Sequence, residues 1–110
     1  KHLYSIKNSS TIIFDEIDSG VSGKIAEKVG FFMKKISSNQ QIIAITHLPQ
    51  IASLANNHYK VFKTEKKEEK TETSIMKLNG DNRIYELARL LSGREITDEA
   101  IANAEKMLNI

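Results

Sequence analysis

Apolar positions divide the chain into segments with two different periods. A run of apolar, mostly β-branched residues covers 11–14 and stops at Asp15, which is typical of a buried strand that carries carboxylates at its carboxyl end. From Ser22, apolar residues recur every three or four positions as far as Ile36, with charged residues between them. This spacing predicts an amphipathic helix capped by Ser22.

A second apolar run, 42–45, ends in Thr46 and His47. Together the two runs and the helix predict a strand–helix–strand unit over about residues 11–46, normally a right-handed crossover between parallel strands. Pro49 then begins a short helix, because proline at the first helical position gives up no hydrogen bond.

The second half of the chain predicts a hairpin followed by two helices. Strands are expected over 59–64 and 73–78, joined antiparallel around the tip 65–72, whose alternating lysines and glutamates indicate a solvated turn. Apolar spacing predicts a helix over 84–91, and a final helix begins at Thr97, whose hydroxyl can cap it.

Composition narrows the class of protein. The 110 residues are 40% hydrophobic and 27% charged, which fits one soluble domain, and the absence of cysteine excludes disulfides and thiolate metal sites. No apolar run approaches the roughly 20 residues that cross a bilayer. A cytoplasmic protein is therefore expected, with no membrane partner. The net charge of +2 is interspersed, so charge alone does not predict nucleic-acid binding.

The candidate chemistry lies where the two predicted strands end. Asp15, Glu16 and His47 should meet at one sheet edge, the edge at which open α/β sheets bind ligands. Asp15 suits a hydrated Mg²⁺ bridging two phosphates, Glu16 suits the orientation or deprotonation of an attacking water, and His47 suits contact with a terminal phosphate. Taken singly, each motif is more often structural; their order and separation make the combination specific.

The block 11–52 resembles the second half of an ABC-type ATPase head. TIIFDE matches its Walker B strand, IDSGVSG its D-loop and ITHLPQIA its switch-histidine segment. More narrowly, FDEIDSGVSG with ITHLPQIASLA resembles the carboxyl-terminal part of the RecN family of bacterial DNA repair proteins, relatives of the SMC proteins. The charged hairpin and RIYELARLLSG extend the resemblance over nearly the whole chain.

The resemblance implies an α/β fold: the carboxyl-terminal half of a P-loop (ABC-type) ATPase head, with 1–110 a single-domain fragment of it. ATP and Mg²⁺ would be its cofactors in the intact protein. Asp15 would hold Mg²⁺ through water, Glu16 would be the catalytic carboxylate, and His47 would sense phosphate. The implied function is ATP hydrolysis in recombinational repair of DNA double-strand breaks, at the nucleoid.

The resemblance also implies partners. Two heads of this family sandwich ATP, so the D-loop residues Asp18, Ser19 and Gly20 would face a second head in an ATP-dependent homodimer. Gln50 would support the histidine loop, with at most a weak nucleotide contact. The amino-terminal half of the same head would be a further partner, and DNA would be bound through the intact protein.

Two look-alike motifs fail. A phosphate-binding loop around Ser22-Gly23-Lys24 would need glycine in place of Asp18 and Ser or Thr in place of Ile25. The LSGR stretch that starts at Leu91 has arginine where the ABC signature has glycine, and we interpret it as a helix end.

Because these 110 residues contain no Walker A loop, the fragment alone is expected not to hydrolyse ATP, and it is expected to be a piece of a longer protein. Two other interpretations stay open from the sequence. One is the ATPase subunit of an ABC transporter, although FDEIDSGVS differs from the usual transporter run. The other is a non-catalytic interaction domain on an α/β scaffold.

Overall fold

The computed structural model describes residues 2–5, 11–15, 23–65 and 71–110, the first of these by backbone alone. Its elements, in chain order, are β1 His2–Ser5, β2 Thr11–Asp15, α1 Gly23–Ile36, β3 Gln41–Ile45, α2 Pro49–Ala52, β4 His58–Glu65, β5 Thr71–Leu78, α3 Gly80–Ser92 and α4 Asp98–Met107. This mixed α/β arrangement confirms the predicted order of the crossover unit, the hairpin and the two closing helices.

A three-stranded sheet, in the order β1-β2-β3, carries the crossover. The strands β2 and β3 are parallel and in register from Thr11 beside Gln41 to Asp15 beside Ile45, with α1 between them in the chain. The strand β1, which the sequence analysis did not predict, pairs antiparallel with β2. Its four residues are too few to show a period, and it is stabilised by pairing rather than by its own pattern.

The predicted hairpin is present as a separate two-stranded sheet within the described residues. The strands β4 and β5 are antiparallel, with His58 beside Leu78 at one end and Glu65 beside Thr71 at the other. Most of the charged tip, 66–70, lies outside the described residues.

Helix ends follow the predicted chemistry in part. Thr97 caps α4 as expected, since its hydroxyl accepts a hydrogen bond from the Ala100 amide at 3.0 Å. Gly93 ends α3 at a φ of +85°, a conformation that favours glycine, and its amide donates to Arg89 O at 2.8 Å. However, α3 begins at Gly80, four residues earlier than predicted. The proposed Ser22 cap of α1 lies outside the described residues.

Two small apolar clusters form the core, and α2 contributes to both. Ile51 packs with Ala26 and Met33 of α1, whereas the next residue, Ala52, packs with side chains of α3 and α4. The first apolar run is half-buried rather than buried as predicted, and Ile45 of β3 is 52% exposed. Part of the surface of β2 and β3 is therefore not covered by other described residues.

Candidate functional site

The carboxyl ends of β2 and β3 lie at the same level of the sheet. Asp15 and Ile45 are register partners, so the two strands end side by side, about 4.8 Å apart as neighbouring strands are. Thr46 and His47 follow β3 directly. The structure therefore brings the segment carrying His47 to the edge that carries Asp15, as the sequence predicted. Asp15 is half-buried and His47 is exposed.

A tight turn carries the chain from β3 into α2. The Thr46 hydroxyl accepts a hydrogen bond from the Leu48 amide at 3.0 Å, a local bond that threonine commonly makes in turns. Pro49 then starts α2, as predicted. His47 thus lies in a three-residue connection with a strand on one side and a helix on the other.

The short helix α2 lies directly against α1 at Gly30. A Cβ on Gly30 would come within 2.7 Å of Leu54 Cδ1 and 3.3 Å of the Gln50 carbonyl oxygen. Only glycine lets the two backbones approach this closely. The segment that follows His47 therefore packs directly against the crossover helix α1.

Gln50, the second residue of α2, directs its side chain toward the start of α1. Its Nε2 is 3.5 Å from the position that a Cβ on Gly23 would take. Its Oε1 is buried and has no hydrogen-bond partner among the described residues. The structure thus places the Gln50 side chain beside Gly23, the first residue of α1.

Four of the proposed site residues, Glu16 and the D-loop residues Asp18, Ser19 and Gly20, lie outside the described residues. Their roles remain predictions, because nothing in the structure addresses them.

A group of charged side chains that the sequence analysis did not single out links α3 to the hairpin. Glu86, only 8% exposed, accepts from Arg89 Nε at 2.9 Å and from Arg89 Nη2 at 2.7 Å, and its Oε1 is 3.1 Å from Lys60 Nζ. We call these three residues the Glu86 cluster. The bidentate bond to Arg89 is the main reason that the pKa of Glu86 is lowered.

Arg83, one turn before Glu86 on α3, faces the end of α2. Its Nη2 lies 3.2 Å from Ala52 O, 3.3 Å from Ser53 O and 2.7 Å from Ala55 O. Burial lowers the pKa of Arg83 from its ordinary value. His58, at the start of β4, has its pKa lowered chiefly by burial and further by the charge of Arg83, while Glu86 acts in the opposite direction.

No local sequence signal indicates these contacts, because Arg83 reaches carbonyls as far as 31 positions away. An arginine in an amphipathic helix is normally interpreted as a solvated charge.

Two absences hold for the part of the chain that is described. Residues 2–5, 11–15, 23–65 and 71–110 contain no group of three or more His, Cys, Asp or Glu side chains placed to hold a metal ion. Among the described helices, none combines the length and apolar character needed to span a membrane.

Comparison of the sequence with known proteins finds relatives that are DNA repair proteins named RecN. The chain is 46% identical over 100 residues to DNA repair protein RecN of Rickettsia conorii, 43% identical over 101 residues to RecN of Vibrio cholerae, and 37% identical over 109 residues to RecN of Bacillus subtilis. These alignments cover 91%, 92% and 98% of this chain but only 18%, 18% and 19% of the relatives. No family model matches the chain.

Among solved structures, one similar chain belongs to work on the ATP-driven dimerization and DNA-stimulated activation of SMC ATPases. It superposes with a TM-score of 0.61 at 17% identity, covering 81% of this chain and 52% of that one. Similarity at this level of identity concerns the fold, and it confirms the fold class predicted from the sequence.

Proposed function

We propose that this chain, which is 37 to 46% identical to segments of RecN proteins, is the carboxyl-terminal part of such a protein and supplies the Walker B and switch-histidine half of an ATPase head. The observation that carries the proposal is the parallel, in-register pairing of β2 and β3, with Asp15 at the end of one strand and His47 just beyond the other. In this proposal the intact protein is an ATPase that acts in recombinational repair of DNA double-strand breaks.

Three side chains have separate tasks in the proposed site. Asp15 holds Mg²⁺ through water. A carboxylate at a strand end fits this ion, because Mg²⁺ keeps several of its waters and is usually bound by one or two carboxylates together with phosphates of the substrate. Bound Mg²⁺ would supply neutralisation of phosphate charge. Glu16 orients the attacking water and accepts its proton. His47, exposed in the turn before α2, contacts the terminal phosphate of ATP.

The amino-terminal half of the same head is the first proposed partner. Exposed apolar side chains occur on both sheets of this chain, with Ile43 and Ile45 on β3 and Val61 and Ile75 on the hairpin. Val61 and Ile75 are cross-strand partners and so adjoin each other, and exposed apolar patches mark sites of interaction. That half would also bring the Walker A loop, which these 110 residues do not contain.

A second head and DNA are the further proposed partners. Asp18, Ser19 and Gly20 would lie between two heads that close on ATP. The similar SMC ATPase, whose structural work concerns ATP-driven dimerization, supports this assembly. The hairpin lysines are interleaved with glutamates, so this surface would release few counterions from DNA. DNA contact is therefore assigned to other parts of the intact protein, at the nucleoid in the cytoplasm.

The proposed role of Glu16 is tested by Glu16→Gln in the intact protein. The amide keeps the shape of the carboxylate but accepts no proton, so hydrolysis is expected to slow by about 100-fold or more, while ATP still drives dimer formation. Steady-state turnover and light scattering with and without ATP measure the two effects. The matched control is Glu27→Gln, which changes an exposed glutamate of α1 and should leave both unchanged.

Turnover of Glu16→Gln at the parent rate would remove Glu16 from catalysis. If Mg²⁺ and ATP left even the parent unchanged in turnover and assembly, the chain would be an interaction domain on an ATPase-like scaffold. Transport is the less supported function, because the RecN relatives cover nine-tenths of the chain or more.

A further inference from the structure

Arg83 connects α3 to the segment that follows His47. Its Nη2 donates to the carbonyl oxygens at the end of α2 and just beyond it, of which Ala55 O, at 2.7 Å, is the nearest. One nitrogen carries two hydrogens, so its three acceptors share them. Arg83 Nε is buried without a hydrogen-bond partner among the described residues. The guanidinium is thus oriented so that Nη2 reaches the carbonyls while the Nε N–H stays unsatisfied, and leaving a buried N–H unsatisfied costs free energy.

Of the three carbonyls that Arg83 reaches, one is the last of α2 and two belong to the residues just beyond it. Ala52 O also accepts from the Ala55 amide at 3.3 Å, whereas Ser53 O and Ala55 O lie beyond this helix of only four residues. A cation at this end also interacts favourably with the partial negative charge of the carbonyl groups. Arg83 therefore adds hydrogen bonds and a positive charge at the carboxyl end of α2 and just beyond it.

Contacts from other elements determine where α2 lies. An isolated helix of four residues has no stability of its own. Gly30 of α1 contacts one part of α2, Ile51 and Ala52 are buried in the two core clusters, and Arg83 holds the carboxyl end. His47 lies just two residues before Pro49, the first residue of α2. A movement of α2 would therefore be passed to His47 through a very short connection.

We propose that Arg83 is a positioning residue for His47: by holding the carboxyl end of α2 against α3, it fixes the place of the turn from which His47 reaches the terminal phosphate. The inference rests on the phosphate-contacting role of His47 given under the proposed function. Arg83 itself touches neither nucleotide nor water in this scheme. Its contribution is geometric, and misplacement of a reacting group by about 1 Å can lower a rate by as much as 100-fold.

The test is a double-mutant cycle on ATP hydrolysis by the intact protein, with R83Q, H47Q and R83Q/H47Q. R83Q is expected to lower kcat by about 10- to 100-fold while KM for ATP changes less than about 3-fold, since most of the binding contacts are untouched. If Arg83 acts through His47, the double variant should lose no more than H47Q alone. A merely structural role would not produce this non-additivity.

The matched control is R94Q, which removes an exposed arginine just after α3 and should keep the parent kcat. R83K, whose ammonium keeps the charge but offers a single donor centre, is expected to give a kcat between those of R83Q and the parent. Where R83Q fails to fold, the same cycle is run with R83K.

The two proposals fail in different ways. An unchanged kcat in H47Q would overturn the assigned role of His47 and with it the proposed function of this edge. A reduced kcat in H47Q together with a parent-like kcat in R83Q, or with multiplicative losses in the double variant, would overturn the positioning role of Arg83 alone.

Discussion

Glu86 is a carboxylate that the fold removes from water and pairs with two cations. Its bonds to Arg89 lie within α3, whereas its contact with Lys60 crosses to β4. Arg89 lowers the pKa of Glu86 more than burial raises it. Because the group ionises more readily in the folded chain, its stabilising contribution is present above the unfolded-state pKa and is lost as pH falls through the lower folded-state value.

His58 makes the folded chain sensitive to mild acid. Burial and the charge of Arg83 lower its pKa below 6.5, with Glu86 opposing them. Protonation of His58 therefore occurs first in the unfolded chain as pH falls, so the free energy of unfolding should decrease as pH is lowered from above 6.5 toward the folded-state pKa. Urea unfolding of the parent and of His58→Gln, at a series of pH values from 8 to 5, measures the effect.

Comparing the parent with His58→Gln separates the effect of His58 on the free energy of unfolding from the effects of other titrating groups. The difference in unfolding free energy should be constant near pH 8 and should move in favour of His58→Gln below about pH 6.5. Parallel curves over the whole range would show that His58 does not contribute.

The placement of residues at strand ends could be predicted, whereas side-chain contacts made through packing could not. Asp15 and His47 follow apolar runs, and parallel pairing requires the two runs to end at one edge. The contacts of Arg83 and Glu86 with other elements depend on how α3 packs against α2 and β4, and those partners are 26 to 31 positions away. No period or motif in one sequence encodes such a distance.

At the scale of elements, Gly30 determines how closely α1 and α2 can pack. Gly30→Ala places a methyl group 2.7 Å from Leu54 Cδ1 and 3.3 Å from the Gln50 carbonyl. The side chain of Leu54 can move but the carbonyl cannot move freely, so a loss of about 1 to 3 kcal/mol is expected, partly offset by the better helix propensity of alanine, worth about 1 kcal/mol. Chemical denaturation measures the net change.

Two variants make that measurement specific. Leu54→Val shortens the nearest side chain, so Gly30→Ala should cost less in its presence than alone. Lys28→Ala, on the exposed face of the same helix, should change stability by no more than about 0.5 kcal/mol. Equal costs of Gly30→Ala with leucine or valine at position 54 would contradict the close contact.

Elements with a clear period or cap were predictable, and the others were not. The apolar spacing gave α1, and Thr97 gave the start of α4. The strand β1 has neither feature and depends on its partner β2. The start of α3 at Gly80 did not follow from the apolar spacing, because the first apolar position of its period is Ile84.

At the scale of the whole molecule, the hairpin presents an apolar face to the outside. Val61 and Ile75 are cross-strand partners, 65% and 67% exposed. The chain by itself is expected to self-associate through this face. V61K/I75E leaves the net charge at +2 and adds an opposite-charge pair, so its apparent mass in sedimentation should fall toward that of a monomer.

Thr73→Glu is the control for that experiment, since it adds a charge at an exposed position of β5 without removing apolar surface. Association should persist in Thr73→Glu. Equal apparent masses for V61K/I75E and the parent would assign any self-association to another surface, such as β3.

The parts of the architecture that depend on contacts within this chain were predictable. Parallel pairing of β2 and β3 and the hairpin both followed from local pattern and connection length. The exposure of Ile43 and Ile45 did not follow from local pattern. An apolar run predicts burial, but it does not indicate which segment covers the run.

The register of the strands also implies an order in which the molecule assembles. Every pair between β2 and β3 joins residues 30 positions apart, whereas the pairs of β4 and β5 begin only 6 positions apart beside the tip. Loop closure costs more entropy for the distant pairs, so the hairpin can form on its own within microseconds while Asp15 and His47 meet later. The sheet edge that carries Asp15 and His47 is therefore completed only when the 30-residue crossover closes.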